Sequence, residues 1–139
     1  MTQTPFRPIG IDHVVIRARD IDRMLAFYCE ALGCELERGP LASGLIQLRA
    51  GTALIDLVDV NGRTGKLGGA APGAEGHNMD HLCVGVRPFD EARLREHFEA
   101  HGATVIDSGV NYGAEGDGPF LYLKDPEGNG LELKGPPLN

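Results

Sequence analysis

Two histidines and two carboxylates stand at matching places in the two halves of this 139-residue sequence. His13 and His81 each follow an aspartate and begin an apolar run, while Asp56 and Glu132 each interrupt an apolar run near the end of their half. A carboxylate in such a run costs free energy unless it is paired or bound to a metal. Imidazole and carboxylate groups together are typical ligands of a divalent ion. The four residues therefore predict one divalent metal site, provided that the fold brings the two halves together.

The alternative interpretation takes the four residues singly. His13 and His81 would then be core histidines with satisfied hydrogen bonds, and Asp56 and Glu132 would face solvent. Their matched positions favour the metal site, because the same residue types recur at equivalent points of two copies.

The elements that must position these residues also occur twice. Alternating β-branched residues follow each histidine, which predicts a strand. Asp20 and Asp90 are candidate N-caps of the helices that come next, and Gly33 and Gly102 stand where those helices should end. Three further strands are expected in each half, at about 34–39, 43–50 and 53–60, and at about 103–108, 119–125 and 129–135. The sequence thus predicts an α+β fold in which two βαβββ modules, related by a pseudo-twofold axis, form a curved mixed sheet around a metal-binding cleft.

The predicted organisation is a single domain over residues 1–139. Module one covers about residues 9–60, a glycine-rich linker covers 61–77, and module two covers about 78–135. Ten of the 20 glycines lie in the two stretches 61–77 and 108–119. These stretches are predicted to be mobile loops that could close over a bound substrate.

The period-two alternation of strands assigns further residues to the site. Arg17 shares a strand face with His13 and could receive an anionic substrate group, although a surface arginine at a strand end is the alternative. Cys83 shares a face with His81, where a small side chain lining the pocket is favoured over a thiol ligand or a nucleophile. His97 and a second histidine one turn later could clip a metal, but no carboxylate completes a known motif, so a solvated helix face is favoured.

Composition restricts the partners. The net charge of −7 and the pI of about 5.1, without a basic run, argue against a nucleic acid or an anionic membrane surface as partner. No stretch approaches the ~18 apolar residues of a membrane helix, and the first residues lack the apolar core of a secretory signal. Three cysteines without a CxxC pair indicate reduced thiols. The sequence predicts a cytoplasmic protein whose partner is a small-molecule substrate.

The chain resembles the vicinal oxygen chelate superfamily, which includes glyoxalase I, over about residues 9–135. The resemblance rests on the following motifs: Ile11-Asp12-His13, Asp22 through Tyr28 leading to Ala31-Leu32-Gly33, Asp80-His81, and Asp125-Pro126-Glu127-Gly128-Asn129 leading to Leu131-Glu132-Leu133. Proteins similar in this way include lyases, epimerases, thiol transferases that inactivate fosfomycin, extradiol dioxygenases and metal-free bleomycin-binding proteins.

The resemblance implies roles for the candidate ligands. His13, His81 and Glu132 match the common metal ligands of the superfamily. Asp56 matches the fourth ligand of glyoxalase I, which is normally a glutamate, so Asp56 would ligate directly or through a water. Glu132 also matches the residue that transfers the proton in glyoxalase I.

The resemblance implies substrate contacts as well. Arg17 matches an arginine that holds a glutathione carboxylate in glyoxalase I, and Tyr122 falls where an aromatic residue lines the substrate pocket. Glu115 and Asp117 occupy a loop that carries lysines in glyoxalase I. An acidic loop disfavours glutathione as the substrate thiol.

The expected function is that of a metal-dependent, glyoxalase-like lyase or isomerase. It would act on a small oxygen-chelating substrate through an enediolate or oxyanion, with one divalent ion (Ni, Zn, Co, Mn or Fe) per site. The alternatives are an Fe(II)-dependent dioxygenase, a fosfomycin-type thiol transferase and a non-catalytic small-molecule-binding protein. A homodimer is expected, because similar proteins often close the curved sheet across a twofold interface, and the long linker would permit modules to be exchanged between chains.

Overall fold

The computed structural model describes residues 4–138. Module one contains β1 (His13–Ala18), α1 (Ile21–Ala26), β2 (Glu35–Arg38), β3 (Leu45–Ala50) and β4 (Ala53–Asp59). Module two contains β5 (Leu82–Gly85), α2 (Glu91–Ala100), β6 (Thr104–Gly113), β7 (Gly116–Lys124) and β8 (Gly130–Lys134). A π-helical turn (Phe27–Ala31) continues α1, and a 3-10 turn (Gly65–Gly68) lies between the modules.

Each module folds its four strands into one mixed sheet. The strand order is β1-β4-β3-β2 in module one and β5-β8-β7-β6 in module two. The first strand of each module runs parallel to the last, and the other neighbours are antiparallel. The predicted α+β fold with two βαβββ modules is confirmed. The strands of residues 4–138 form two separate sheets rather than one, because β1 and β5 each end a sheet and do not pair with each other.

One hydrophobic core serves both modules. The last strands bury Ile55 and Leu57 in module one and Leu131 and Leu133 in module two, all within the same apolar cluster. The rings of Phe27 and Phe98 meet across the modules with their centroids 6.1 Å apart. Aromatic packing of this kind fixes the helical segments against each other. The sheet faces that point away from this core carry the polar residues of the candidate site.

The helix ends follow the sequence closely. Asp20 and Asp90 cap α1 and α2, as predicted, and each side chain accepts a hydrogen bond from the backbone N–H three residues later, of Arg23 and Arg93 respectively. Gly33 and Gly102 adopt φ values of 84° and 88°, which suits glycine after a helix. His97 is exposed on the helix face, as predicted, and its Nε2 also lies 2.8 Å from the carbonyl oxygen of Ala31 at the end of the π-helical turn. No helix in residues 4–138 is long and apolar enough to cross a membrane.

Buried polar bonds join the two modules. The Tyr28 hydroxyl donates to Asp125 Oδ2 over 2.8 Å, and burial together with the charge of Asp125 raises the pKa of Tyr28 well above its usual value. The Asn78 amide bonds both the backbone N–H and the carbonyl of Arg17, and it donates to Asn129 Oδ1 over 2.8 Å. Asn78 thereby connects the outer edge of β1, at Arg17, with Asn129 in the turn between β7 and β8.

The predicted mobile loop at 108–119 is instead a β-hairpin. The ladder between β6 and β7 continues to the pair Gly113 and Gly116, so the strands are longer than expected. Neighbouring atoms approach closely at three of these strand glycines, Gly109, Gly113 and Gly118. A Cβ at Gly118 would lie 2.9 Å from the Pro136 carbonyl oxygen. The linker 61–77 is largely irregular apart from its 3-10 turn.

Candidate metal centre

Module one places His13 and Asp56 on the same face of its sheet. His13 begins β1, and Asp56 pairs with Val15, two residues further along that strand. The Asp56 side chain is buried in the sheet, and the residue is only 2% exposed. Its Oδ2 accepts a 3.2 Å hydrogen bond from Gln47 Nε2 on β3, whereas its Oδ1 is buried without a hydrogen-bond partner. An unpaired buried carboxylate oxygen is costly, so this geometry suits a ligand that would complete it.

Module two places His81 and Glu132 in the equivalent arrangement. Nε2 of His81 lies 3.6 Å from Oε1 of Glu132. The other carboxylate oxygen accepts hydrogen bonds from the Cys83 thiol (3.4 Å) and from Asn111 Nδ2 (3.3 Å). The carboxylates occupy matching positions, because Cys83 pairs with Glu132 as Val15 pairs with Asp56.

The preceding aspartate orients each histidine. Nδ1 of His13 lies 2.6 Å from Asp12 Oδ1, and Nδ1 of His81 lies 2.5 Å from Asp80 Oδ2. The Asp12 hydrogen bond, aided by the nearby charge of Asp56, raises the pKa of His13 above its usual value. The hydrogen bond to His81 lowers the pKa of Asp80. A carboxylate on Nδ1 is the usual arrangement for a metal-binding histidine, and it leaves Nε2 as the ligand atom.

The structure brings the four candidate ligands together in two pairs. Among the residues it describes, no three His, Cys, Asp or Glu side chains lie close enough to hold one ion. One chain therefore offers two half-sites: His13 with Asp56, and His81 with Glu132.

A polar pocket of about 440 Å³ opens beside the second half-site, and module two and the segment after β8 form its walls. It extends from His81 and Glu132 to the tip of the β6–β7 hairpin. Tyr122, which pairs with Glu132 across the sheet, meets the His81 ring edge-to-face at 5.5 Å between centroids. An apolar pocket of about 510 Å³ lies between the modules and contains none of the four candidate ligands.

Cys83 lines both pockets as a neutral thiol. Burial, followed by the hydrogen bond to Glu132, raises the pKa of Cys83 to about 12. Because the thiolate is the nucleophilic and metal-binding form, this environment suits a hydrogen-bond donor to Glu132 rather than a nucleophile.

Arg17 points its guanidinium group at the linker. Its nitrogens donate to the carbonyl oxygens of Gly65 (3.0 Å), Gly69 (2.7 Å) and Ala70 (3.1 Å). The guanidinium also packs so closely on Gly68 that a Cβ there would lie 2.5 Å from Arg17 Cζ. An anionic substrate group would have to displace these carbonyls to use the same donors.

Sequence reasoning gave no site role to Gln47 and Asn111, which donate hydrogen bonds to the carboxylates. The signal for Asn111 was hidden because its segment has the composition of a loop. Once residues 104–113 form a strand, Asn111 pairs with Gly118 across the hairpin. Its side chain then lies on the same sheet face as Glu132 and donates to it. Gln47 follows from the pairing of β3 with β4, which the sequence pattern alone does not specify.

A family model described as a glyoxalase-like domain matches residues 13–133. The chain belongs to this glyoxalase-like family, within the vicinal oxygen chelate superfamily. The resemblance inferred from the sequence motifs is therefore confirmed.

Solved structures share the fold over nearly the whole chain. A virulence protein from Salmonella typhimurium is 22% identical, with a TM-score of 0.74 over 94% of this chain and 98% of that chain. An integron cassette protein from Vibrio cholerae is 24% identical, with a TM-score of 0.72 over 95% and 98%. Lactoylglutathione lyase from Agrobacterium tumefaciens is 23% identical, with a TM-score of 0.63 over 95% and 96%. At these identities the similarity establishes the fold only.

Proposed function

We propose that this protein is a metal-dependent lyase or isomerase of the glyoxalase type. Its substrate is a small molecule that presents two neighbouring oxygen atoms. The observation that carries the proposal is Asp56, whose Oδ1 is buried without a partner on the same sheet face as His13. A carboxylate oxygen kept in that state fits a bound cation better than a purely structural role.

The donor set supports a divalent transition metal. His13, Asp56, His81 and Glu132 would supply two imidazole nitrogens and two carboxylates, a set suited to Zn, Ni, Co, Fe or Mn. When bound, the ion would act as a Lewis acid and stabilise negative charge on the substrate oxygens. The aspartates before the histidines support the set, because each holds the Nδ1 side of its ring.

A homodimer is part of the proposal, since it would combine the two half-sites. Among residues 4–138, β1 and β5 have no strand partner on their outer sides. Large apolar side chains next to the β1 edge are exposed, with Ile11 at 76% and Val15 at 42%. On β1, Arg17 already uses its outer backbone groups on Asn78. The lack of a strand partner, together with the exposed apolar residues, favours association with a second chain.

Glu132 is assigned to proton transfer. The Cys83 thiol and the Asn111 amide both hold its Oε2, so the orientation of the carboxylate is fixed while Oε1 remains next to His81. A carboxylate fixed in this way can accept a proton from a carbon beside a substrate carbonyl and return it to the neighbouring atom. Tyr122 would contact the apolar part of the substrate.

Asp56 distinguishes this proposal from an Fe(II) dioxygenase, which would need only His13, His81 and Glu132. Under that alternative, the buried oxygen of Asp56 would have no function. Deuterium from solvent entering the carbon next to a substrate carbonyl is expected of the lyase or isomerase. Iron-dependent oxygen uptake with catechols, without such exchange, would contradict the proposal.

Complementation between inactive variants tests the shared site. One variant combines His13→Ala with Asp56→Ala, and the other combines His81→Ala with Glu132→Ala. Neither homodimer can form a complete site, but a mixed dimer can form one from the two intact half-sites. Unfolding and refolding an equal mixture should restore about a quarter of the wild-type metal sites, because half of the dimers are mixed and each has one intact site of two.

Size-exclusion chromatography with light scattering provides the control for assembly. Each variant should remain folded and dimeric, so that lost metal binding reports the ligands alone. A strictly monomeric wild-type protein at micromolar concentration, or a mixture that binds no metal although mixed dimers form, would contradict the shared site.

A further inference from the structure

Lys134 places a positive charge inside the polar pocket of module two. It follows Glu132 by two residues on β8, so both side chains lie on the same face of the sheet. Both residues line the pocket, and Lys134 is only partly exposed. The pocket therefore contains a candidate metal ligand and a cation side by side.

The contacts of the Lys134 ammonium group are all to neutral oxygens. Nζ donates to the backbone carbonyl and the side-chain oxygen of Asn111, and to the carbonyl of Gly118 over 3.1 Å. Across residues 4–138, no carboxylate forms an ion pair with Lys134. Withdrawing an ammonium from water without an opposite charge is costly. This lysine is thus held in the pocket without a directly bonded carboxylate.

Arg87, the other cation in the pocket lining, differs in this respect. Its Nη2 donates to both carboxylate oxygens of Glu115, over 2.7 and 2.9 Å. The pair lies at the exposed end of the pocket, with more than half of each side chain accessible to solvent. The acidic tip of the hairpin is therefore compensated at Glu115, and Lys134 is the lining cation that has no carboxylate partner.

The surrounding residues keep Lys134 in place. Asn111 connects the two charged groups, because its amide nitrogen donates to Glu132 and its oxygen accepts from Lys134. Gly113 leaves space for the lysine stem, since a Cβ at that position would lie 3.1 Å from Lys134 Cε. The ammonium is thus positioned on the opposite side of Asn111 from the carboxylate of the proposed metal site.

We propose that Lys134 binds a carboxylate on the substrate and so selects anionic oxygen chelators over neutral ones. This inference rests on the proposed function, because the chelating end of the same substrate would lie at the metal. The substrate class is a small acid with two neighbouring oxygens at one end and a separate carboxylate at the other. A charge-assisted hydrogen bond to that carboxylate would replace contacts that now reach only neutral oxygens.

Paired probes test the selectivity. Malate and 2-hydroxyglutarate each carry a chelating 2-hydroxy acid and a distal carboxylate, and their distal amides keep the chelating end while removing the distal charge. Calorimetry on the Mn²⁺-loaded protein should show that at least one diacid binds about tenfold more tightly than its amide. In Lys134→Met this preference should fall to within about twofold, while Lys134→Arg should keep most of it.

Arg87→Met is the matched control, because it removes a pocket cation that already has a partner. Its preference for the diacid should equal that of the wild type, and all titrations are run at saturating Mn²⁺ so that a change in metal affinity does not alter the comparison. A preference that persists in Lys134→Met, or that is absent from the wild type, would overturn the proposal. If Lys134→Met lowers the melting temperature but leaves the preference for the diacid unchanged, Lys134 has only a structural role in stabilising the hairpin.

Failure of the proposed function would be recognised separately. If the wild-type protein binds no Mn²⁺, the metal site is wrong, and succinate and succinamate are compared on the metal-free protein by saturation-transfer NMR. The Lys134 proposal still requires a carboxylate preference that Lys134→Met abolishes, and equal signals from both probes would overturn it.

Discussion

The two half-sites place a carboxylate at equivalent points of two sheets but surround it differently. Asp56 accepts one hydrogen bond, from Gln47, and keeps one buried oxygen without a partner. Glu132 accepts two hydrogen bonds at one oxygen and has His81 3.6 Å from the other. The first carboxylate therefore keeps one buried oxygen without a hydrogen bond, whereas the second has contacts at both oxygens within its own module.

The positions around the carboxylates have also diverged. Val15 and Cys83 pair with Asp56 and Glu132 from the first strand of each sheet, and Gln47 and Tyr122 pair with them from the other side. The polar pocket is lined by module two and the segment that follows it. The duplicated fold thus places candidate ligands in both halves, while the residues proposed to bind substrate and transfer the proton lie in the second.

Removing the orienting carboxylates should have the largest effect and tests whether the two histidines are equivalent. Asp12→Asn and Asp80→Asn keep the shape of each side chain but remove the charge that holds Nδ1 of the neighbouring histidine. Each substitution should lower metal affinity about 10- to 100-fold. Competition with a chromophoric chelator measures the affinity of each variant.

Asp22→Asn, an exposed acid in the first turn of α1, makes the same charge change without touching a candidate ligand. Its metal affinity should match that of the wild type. Unchanged affinity in Asp80→Asn would show that His81 does not need its aspartate and would weaken the assignment of His81 as a ligand.

The contrast between the two carboxylates predicts opposite effects on the metal-free protein. Asp56→Asn removes a buried charge with an unpaired oxygen and should increase the free energy of unfolding by roughly 1–2 kcal/mol. Glu132→Gln weakens bonds that the carboxylate already accepts from Cys83 and Asn111, so it should not stabilise the protein. Urea denaturation in the presence of a chelator measures both.

Adding metal should make the wild type more stable than Asp56→Asn, the reverse of their order without metal. The wild type should gain stability by mass action as the ion binds the folded state, and Asp56→Asn should gain less. Equal destabilisation of the metal-free protein by both substitutions would mean that Asp56 is satisfied in solution, and the contrast between the half-sites would be lost.

Much of the fold followed from local patterns in the sequence. Asp20 and Gly33, and likewise Asp90 and Gly102, act through nearby backbone groups, so residue type and spacing were sufficient to predict the helix ends. The hairpin at 104–124 was only partly predicted because its glycines resemble those of a loop. Their role depends on distant atoms, such as the Pro136 carbonyl beside Gly118.

The candidate ligands were predictable because they repeat, but their distribution over two half-sites was not. That distribution depends on how the modules pack through Phe27 and Phe98, which are far apart in sequence. The contacts of Arg17 with the linker carbonyls are likewise tertiary. Strand alternation places a side chain on a face, but it does not specify which atoms of another segment lie there.

The smallest expected effect concerns the thiol that distinguishes module two from module one. Cys83 donates to Glu132, and burial together with that bond raises the pKa of the thiol to about 12. At pH 8 very little thiolate exists, so iodoacetamide should modify Cys83 slowly in the metal-free protein. Glu132→Gln removes the negative charge next to the sulfur and should increase the alkylation rate severalfold.

Peptide-resolved mass spectrometry follows Cys83 and Cys29 in the same sample. Cys29 does not line the polar pocket and should react at an unchanged rate. Equal acceleration at both cysteines would indicate general loosening of the fold, and no acceleration at Cys83 would show that Glu132 does not control the thiol.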